Sequence, residues 1–164
     1  MANNHFGEIG DVWKHLPLAE ILACAQPSRY WESHAGSASY SLSRSWQREY
    51  GIYHLLDRAP SSPALAVSHY RSLVTAAPCI DGYPATYPGS CTLAMSMLGR
   101  SVSEYLLCDL DPESIASLQH GARSAGVADL AWCIQDDGIA ALWERSVTLT
   151  GDDAATTLVA HRSV

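Results

Sequence analysis

The stretch SEYLLCDLDPESIASLQHGARSAG, residues 103–126, decides the fold class. An apolar run, Tyr105–Cys108, ends in the acids Asp109 and Asp111, as a buried strand does when it surfaces. A helix with a clear opening follows at once. Asp111 is placed to cap it, Pro112 takes the first position, Glu113 sits in the first turn, and Gly121 or Gly126 lies near its end. Working outward, ADLAWCIQDDG (128–138) is a second apolar run ending in acids, followed by a short helix, IAALWER (139–145). DDAATTLVAH (152–161) begins a further run, and Arg29–Glu32 is an aromatic strand upstream. Strands and helices alternating at this spacing predict an α/β chain with a parallel sheet.

Bulk properties narrow the class. The 164 residues are 48% hydrophobic and 16% charged, ordinary for one globular domain with a sizeable core. A net charge of −7 counts against strong sequence-independent binding of nucleic-acid backbone. The five cysteines (Cys24, Cys79, Cys91, Cys108, Cys133) are dispersed and form no CxxC pair, so they read as reduced core residues. No apolar run reaches the roughly 18–20 residues that span a bilayer, and the start MANNHFGEIGD lacks the basic-then-apolar order of a signal peptide. Cytoplasm is the expected location.

The first half is less regular. DVWKHLPLAEILACA (11–25) carries Val12, Trp13, Leu16, Ile21 and Leu22 at helical spacing, with Asp11 as N-cap. Pro17 predicts either a kink or the start of a second helix. After the strand at 29–32 the chain turns through His-Ala-Gly-Ser-Ala. It then reads as helical from 43 to 77, broken by the loop APSSPA (59–64). DGYPATYPGS (81–90) is a second loop, and Ser90 opens a short helix closed by Gly99. The division expected is an N-terminal helical segment, 1–28, and a Rossmann-like domain, 29–164, with a helical insert at about 43–100.

In an open parallel sheet the ligand lies beyond the carboxyl ends of the strands. Those positions hold the turn Glu32–Ala38, then Asp109 and Asp111, then Asp136 and Asp137. A glycine turn admits close approach of backbone, an acid ending the second strand can accept from ribose hydroxyls, and an acid ending the third can accept from an exocyclic amine. The order of these features on successive strands points to an adenosine-containing cofactor, although Gly36 alone reads equally as a turn glycine and Asp111 as a helix cap. Glu8, Asp11 and His15, with His5 nearby, could form one helical metal face. No second cluster completes that set, so caps and a packed histidine are the simpler reading and no metal is expected. The aromatic residues Tyr30, Trp31, Trp46, Tyr50 and Tyr53 read as core.

Five strings, HFGEIGDVWKH (5–15), YWESHAGSASYSL (30–42), YPGSCTLAMSML (87–98), LLCDLDPESIASL (106–118) and QDDGIAAL (135–142), resemble in order and spacing the RlmJ-type 23S ribosomal RNA adenine-N6 methyltransferases. The resemblance covers residues 5–160. It implies a Rossmann-like class I methyltransferase fold with a helical insertion after the first strand, S-adenosyl-L-methionine as cofactor and ribosomal RNA as substrate. It implies cofactor contacts at His15, His34, Gly36, Ser90, Asp109, Asp137 and Gly138, and a substrate contact at Lys14. Asp109 stands where the family has a glutamate.

In that family the fourth strand leads into an Asp-Pro-Pro-Tyr-type loop that holds the target amine. Here TTLV (156–159) is followed by AHRSV (160–164), which supplies no such residues. Codons for Ala-His-Arg-Ser, read one base later, can encode His-Ile-Asp-Pro. The expectation is therefore a truncated or frameshifted form that binds cofactor, is catalytically impaired, and has no catalytic residues of its own. An incomplete sheet further predicts self-association or a partner chain. The other readings are a cofactor-binding module working with a partner chain, or an unrelated Rossmann-type nucleotide binder. The missing GxGxxG argues against the last.

Overall fold

The computed structural model describes residues 5–149 and 157–160. In chain order the elements are α1 (Ile9–Ala25), β1 (Arg29–Glu32), β2 (Ser39–Ser41), α2 (Trp46–Arg48), a wide π turn (Glu49–Tyr53), α3 (His54–Arg58), a 3-10 turn (Ala59–Ser61), α4 (Pro63–Ala66) and α5 (His69–Thr75). Then come β3 (Cys79–Ile80), β4 (Tyr83–Pro84), β5 (Thr86–Pro88), α6 (Ser90–Leu98), a 3-10 turn (Gly99–Ser101), β6 (Glu104–Asp109), α7 (Pro112–Ser124), β7 (Ala131–Gln135), α8 (Gly138–Ser146) and β8 (Thr157–Ala160).

Four strands form a parallel sheet in the order β7-β6-β1-β8. The order reverses direction at β1, whose neighbours are β6 on one side and β8 on the other. Side chains alternate across the sheet; β1 and β6 are covered on both faces, while on the α8 face Trp132 of β7 and Val159 of β8 stay exposed. Tyr30, Tyr105 and Leu107 point into a core with Ala94, Met95 and Leu98 of α6 and Ile115, Leu118 and Ala122 of α7. Trp31, Leu106 and Cys108 point the other way, onto Leu142 of α8. A third core unites α1 with the insert through Val12, Ala19, Ile52, Tyr70, Val74 and Tyr87.

The expected βα units are present, and the opening of α7 is as read: Asp111 accepts the Ser114 N–H at 3.0 Å and Pro112 takes the first turn. Elsewhere the structure corrects the sequence reading. α1 is one helix that starts at Ile9, with Pro17 inside it and no second helix. Pro17 lies on the exposed side of α1. Asp11 is not the N-cap; its Oδ2 accepts the Gly7 N–H at 3.1 Å from inside the first turn. The buried stripe of α1 is Val12, His15, Ala19 and Leu22, while Trp13 and Ile21 face solvent.

The helical region at 43–77 is a string of short pieces. Gly51 departs from helical dihedrals (φ −103°, ψ −111°), and a Cβ there would stand 2.2 Å from the Gly7 carbonyl oxygen. The helix yields at this point to the N-terminal segment, whose Gly7 carbonyl accepts the Ile52 N–H at 2.9 Å. The loop at 81–90 is partly strand. β3 and β4 form a hairpin whose turn residues Asp81 and Gly82 both take positive φ, the two-residue turn that suits strand twist. β5 pairs antiparallel with β2 and so ties the insert to the segment after β1. Of the aromatic residues read as core, Tyr30, Trp31 and Tyr53 are buried, but Trp46 and Tyr50 are exposed. Of the cysteines, Cys91 and Cys108 are buried whereas Cys24 and Cys79 are exposed, and all five are free thiols. No helix among the described residues is long and apolar enough to cross a membrane.

Candidate functional site

A cleft of about 310 Å³ opens where the sheet order reverses. The ends of β1 and β8 supply Glu32 and Leu158–Ala160, α1 supplies Lys14, His15, Pro17, Leu18 and Ile21, and the start of α6 supplies Ser90. A crevice outside the carboxyl ends of parallel strands, at the reversal, is where doubly wound sheets bind ligands.

Glu32 forms part of this wall and is almost fully buried. Its carboxylate accepts from the Tyr30 hydroxyl at 3.1 Å and from the Ser90 hydroxyl. The Glu32 charge adds to burial in pushing the Tyr30 phenol and the Cys91 thiol well above their usual ranges, so both stay protonated. Sequence reading passed over Glu32 as the first residue of a turn; the signal available was an acid ending the first strand. Ser90 stands at the first position of α6 because Gly89 lets the chain pass the Ser37 carbonyl. A Cβ on Gly89 would lie 2.2 Å from that oxygen.

His15 is buried on the cleft wall. Its Nδ1 is 3.0 Å from the Tyr87 hydroxyl, and its Nε2 is 3.8 Å from Asp11 Oδ1. Tyr87 in turn meets the Tyr70 hydroxyl at 2.8 Å. Burial pushes both phenols up, so both remain neutral donors across the physiological range. Neither tyrosine was singled out as a site residue from the sequence: Tyr70 reads as one residue of a helical stripe and Tyr87 as part of a Pro/Gly-rich loop.

Five N–H groups of the turn after β1 are held by protein acceptors. Gly36 takes a positive φ of 62° and donates its N–H to Asp109 Oδ2 at 2.8 Å. Ser33, Ala35, Ser37 and Ala38 donate theirs to the Ala160 carbonyl, the Cys108 carbonyl, the Tyr40 hydroxyl and the Ser117 hydroxyl. Asp109 also accepts the Asp111 N–H at 2.9 Å through Oδ1. One oxygen therefore braces the turn and the other holds the chain leaving β6, and each retains a second lone pair for a ligand hydroxyl. The His34 ring Nδ1 lies 3.0 Å from the Ser33 hydroxyl.

Asp137 caps α8 by accepting the N–H groups of Ile139 (2.9 Å) and Ala140 (3.2 Å). Gly138 is where α8 presses on the turn: a Cβ would meet the Ser33 carbonyl oxygen at 1.9 Å. The sequence-predicted residues thus fall into two groups. Lys14, His15 and Ser90 line the cleft, while His34, Gly36, Asp109, Asp137 and Gly138 lie along the neighbouring strand ends and are not part of its lining. The turn Glu32–Gly36 connects the two. His5 pairs with Glu8 at 3.2 Å on the surface, away from buried Asp11 and His15. No group of three or more His, Cys, Asp or Glu side chains suited to a metal ion occurs among the described residues.

No protein-family model matches the chain, and no curated protein matches it. Among solved structures, it is similar to the crystal structure of protein LPL1258 from Legionella pneumophila str. Philadelphia 1, of family DUF519. The TM-score is 0.75 at 24% identity, over 96% of this chain and 57% of that one. The two proteins share a fold, and this chain spans a little over half the length of the other.

Proposed function

We propose that the cleft at the β1–β8 reversal and the adjoining strand ends form the cofactor site of a class I methyltransferase, holding S-adenosyl-L-methionine. The observation that carries this reading is the position of Lys14, His15, Glu32 and Ser90 around a cleft at the point where the strand order reverses. The adenine-N6 chemistry and the ribosomal RNA substrate rest on the resemblance of the five sequence strings.

The donor set fits such a group. A buried carboxylate, Glu32, at the cleft wall suits a cationic amine, and the carboxylate at the end of β6 suits ribose hydroxyls. Because the turn after β1 spends its N–H groups on protein acceptors, it offers no ready cradle to a pyrophosphate. No helix follows that turn directly; β2 does. Both features favour a cofactor without phosphates over a dinucleotide, whose pyrophosphate uses a glycine turn at a helix start. When bound, the cofactor supplies an electrophilic methyl group on a sulfonium. The chain's own residues would orient it and hold water away from its apolar wall of Leu18, Ile21 and Leu158.

Calorimetric titration with S-adenosylhomocysteine tests the reading. Binding by the full chain, weakened roughly tenfold in Asp109→Ala as charge-assisted hydrogen bonds are lost, is the expected result. Tighter binding of a nicotinamide dinucleotide, or none of S-adenosylhomocysteine, would overturn it. A second reading, a cofactor-binding module that pairs with another chain, is favoured by β8, which among the described residues pairs with β1 alone. Co-elution of a partner that completes a methyltransferase would distinguish it.

A further inference from the structure

The cleft wall at His15 continues inward as a polar chain through an otherwise apolar core. Tyr87 lies in the segment that also delivers Ser90 to Glu32, so one short stretch reaches two residues of the cleft wall, His15 and Glu32. The His15 and Tyr87 rings are nearly parallel, 21° apart with centroids at 5.7 Å, and their polar atoms meet at 3.0 Å. Behind Tyr87, the Tyr70 hydroxyl of α5 closes the chain at 2.8 Å. Both tyrosine side chains are completely buried. A core that needed only volume at these positions would be served by phenylalanine. Two hydroxyls facing each other and an imidazole instead form a continuous hydrogen-bonded chain, and a buried hydroxyl left unpaired would be costly.

We propose that Tyr87, backed by Tyr70, is a positioning residue that fixes the ring orientation and tautomer of His15 on the wall of the cleft, so that the helical insert sets the geometry of cofactor binding. This rests on the cofactor reading of the cleft. In the neutral ring one nitrogen carries the proton: with the acceptor-only Asp11 carboxylate on the Nε2 side, the proton sits on Nε2 and the Tyr87 hydroxyl donates to Nδ1. Asp11, 3.8 Å from Nε2, is the charged group facing the ring from its own helix. Tyr70 restricts the Tyr87 hydroxyl in turn, so the effect of either hydroxyl is felt at the same imidazole.

The test compares the full-length chain with Tyr87→Phe and Tyr70→Phe. The readout is the pair of imidazole nitrogen chemical shifts of His15 at pH 8, assigned by their loss in His15→Gln, with S-adenosylhomocysteine affinity measured alongside. Tyr87→Phe is expected to move the His15 shifts toward a tautomer mixture and to weaken binding roughly three- to tenfold, the scale of one lost hydrogen bond. Tyr70→Phe is expected to move them in the same direction by less. His15 shifts identical to wild type in folded Tyr87→Phe would overturn the proposal, whatever the stability change. If Tyr87→Phe does not fold, unchanged shifts in Tyr70→Phe overturn it and displaced ones support it. If the unmodified chain does not bind S-adenosylhomocysteine, the cofactor reading fails, and the nitrogen shifts alone still decide the role of Tyr87.

Discussion

Gly138 and Gly10 both open helices, yet a methyl group would meet very different surroundings at the two. At Gly138 the Ser33 carbonyl oxygen stands 1.9 Å from where Cβ would be, and the obstacle is backbone that cannot rotate away. At Gly10 nothing lies within 4 Å. Gly138→Ala is therefore expected to lose roughly 2–3 kcal/mol of stability from overpacking. Gly10→Ala should gain about 0.5 kcal/mol by restricting the unfolded chain. Urea unfolding of both variants checks the contrast, and equal midpoints would show the close approach to be absent. Glu104 offers a second residue-scale case. Its buried carboxylate accepts from Trp31 Nε1 at 2.9 Å and from Arg145 at 2.7 Å, joining β1, β6 and α8. Glu104→Ala leaves the buried indole N–H without its acceptor, an expected cost of about 2–3 kcal/mol in thermal unfolding, while Glu104→Gln keeps an acceptor and should lose less.

At the scale of elements, the turn after α6 is tied to the turn before β7 by Arg100, which donates to both oxygens of Asp129 at 2.7 and 2.8 Å. The guanidinium draws the Asp129 carboxyl down to about 2. A carboxyl lowered on folding adds stability that is complete above its ordinary value of 3.8 and is lost as pH falls toward 2. The stability difference between the native chain and Asp129→Asn should therefore shrink between pH 5 and 2, as denaturant midpoints across that window will reveal. Solvent screening at this surface keeps the effect small. The elements that could be read from the sequence are those whose instructions are local. Asp111, Pro112 and Glu113 open α7 without help from elsewhere, and the apolar runs of β6 and β7 name themselves. The insert could not be read, because the residue that breaks it, Gly51, answers to Gly7 and Glu8 more than forty positions away. Spacing singled out His15 as a candidate metal ligand with Glu8 and Asp11, and the family pattern singled it out as a cofactor contact; hydropathy periodicity alone gave no sign that it lies in the buried stripe of α1. The position of Asp109 followed from strand and turn order. That its Oδ2 holds the Gly36 N–H depends on how the Gly36 turn folds back across β6.

At the scale of the molecule, the sheet is well covered at its centre, and among the described residues nothing pairs with the outer edge of β8. β8 has β1 as its strand neighbour among the described residues, and Thr157–Ala160 carry no charge or proline to discourage further pairing. Beside it, Ile139, Trp143 and Val147 form an exposed stripe on α8. Ile139→Glu combined with Trp143→Glu is expected to reduce concentration-dependent association in sedimentation while leaving the melting temperature within a few degrees. Association that persists in this variant would place the contact elsewhere. The tryptophans carry a further consequence, an optical one. Trp13, Trp46, Trp132 and Trp143 are 61–73% exposed, whereas Trp31 is 1% exposed. Four of the five indoles already emit from water, so a blue-shifted component and its loss on denaturation belong to Trp31 alone. Intrinsic fluorescence is then a single-site gauge of the sheet's α8 face, blind to unravelling of the insert, and a melt followed by fluorescence need not coincide with one followed by circular dichroism.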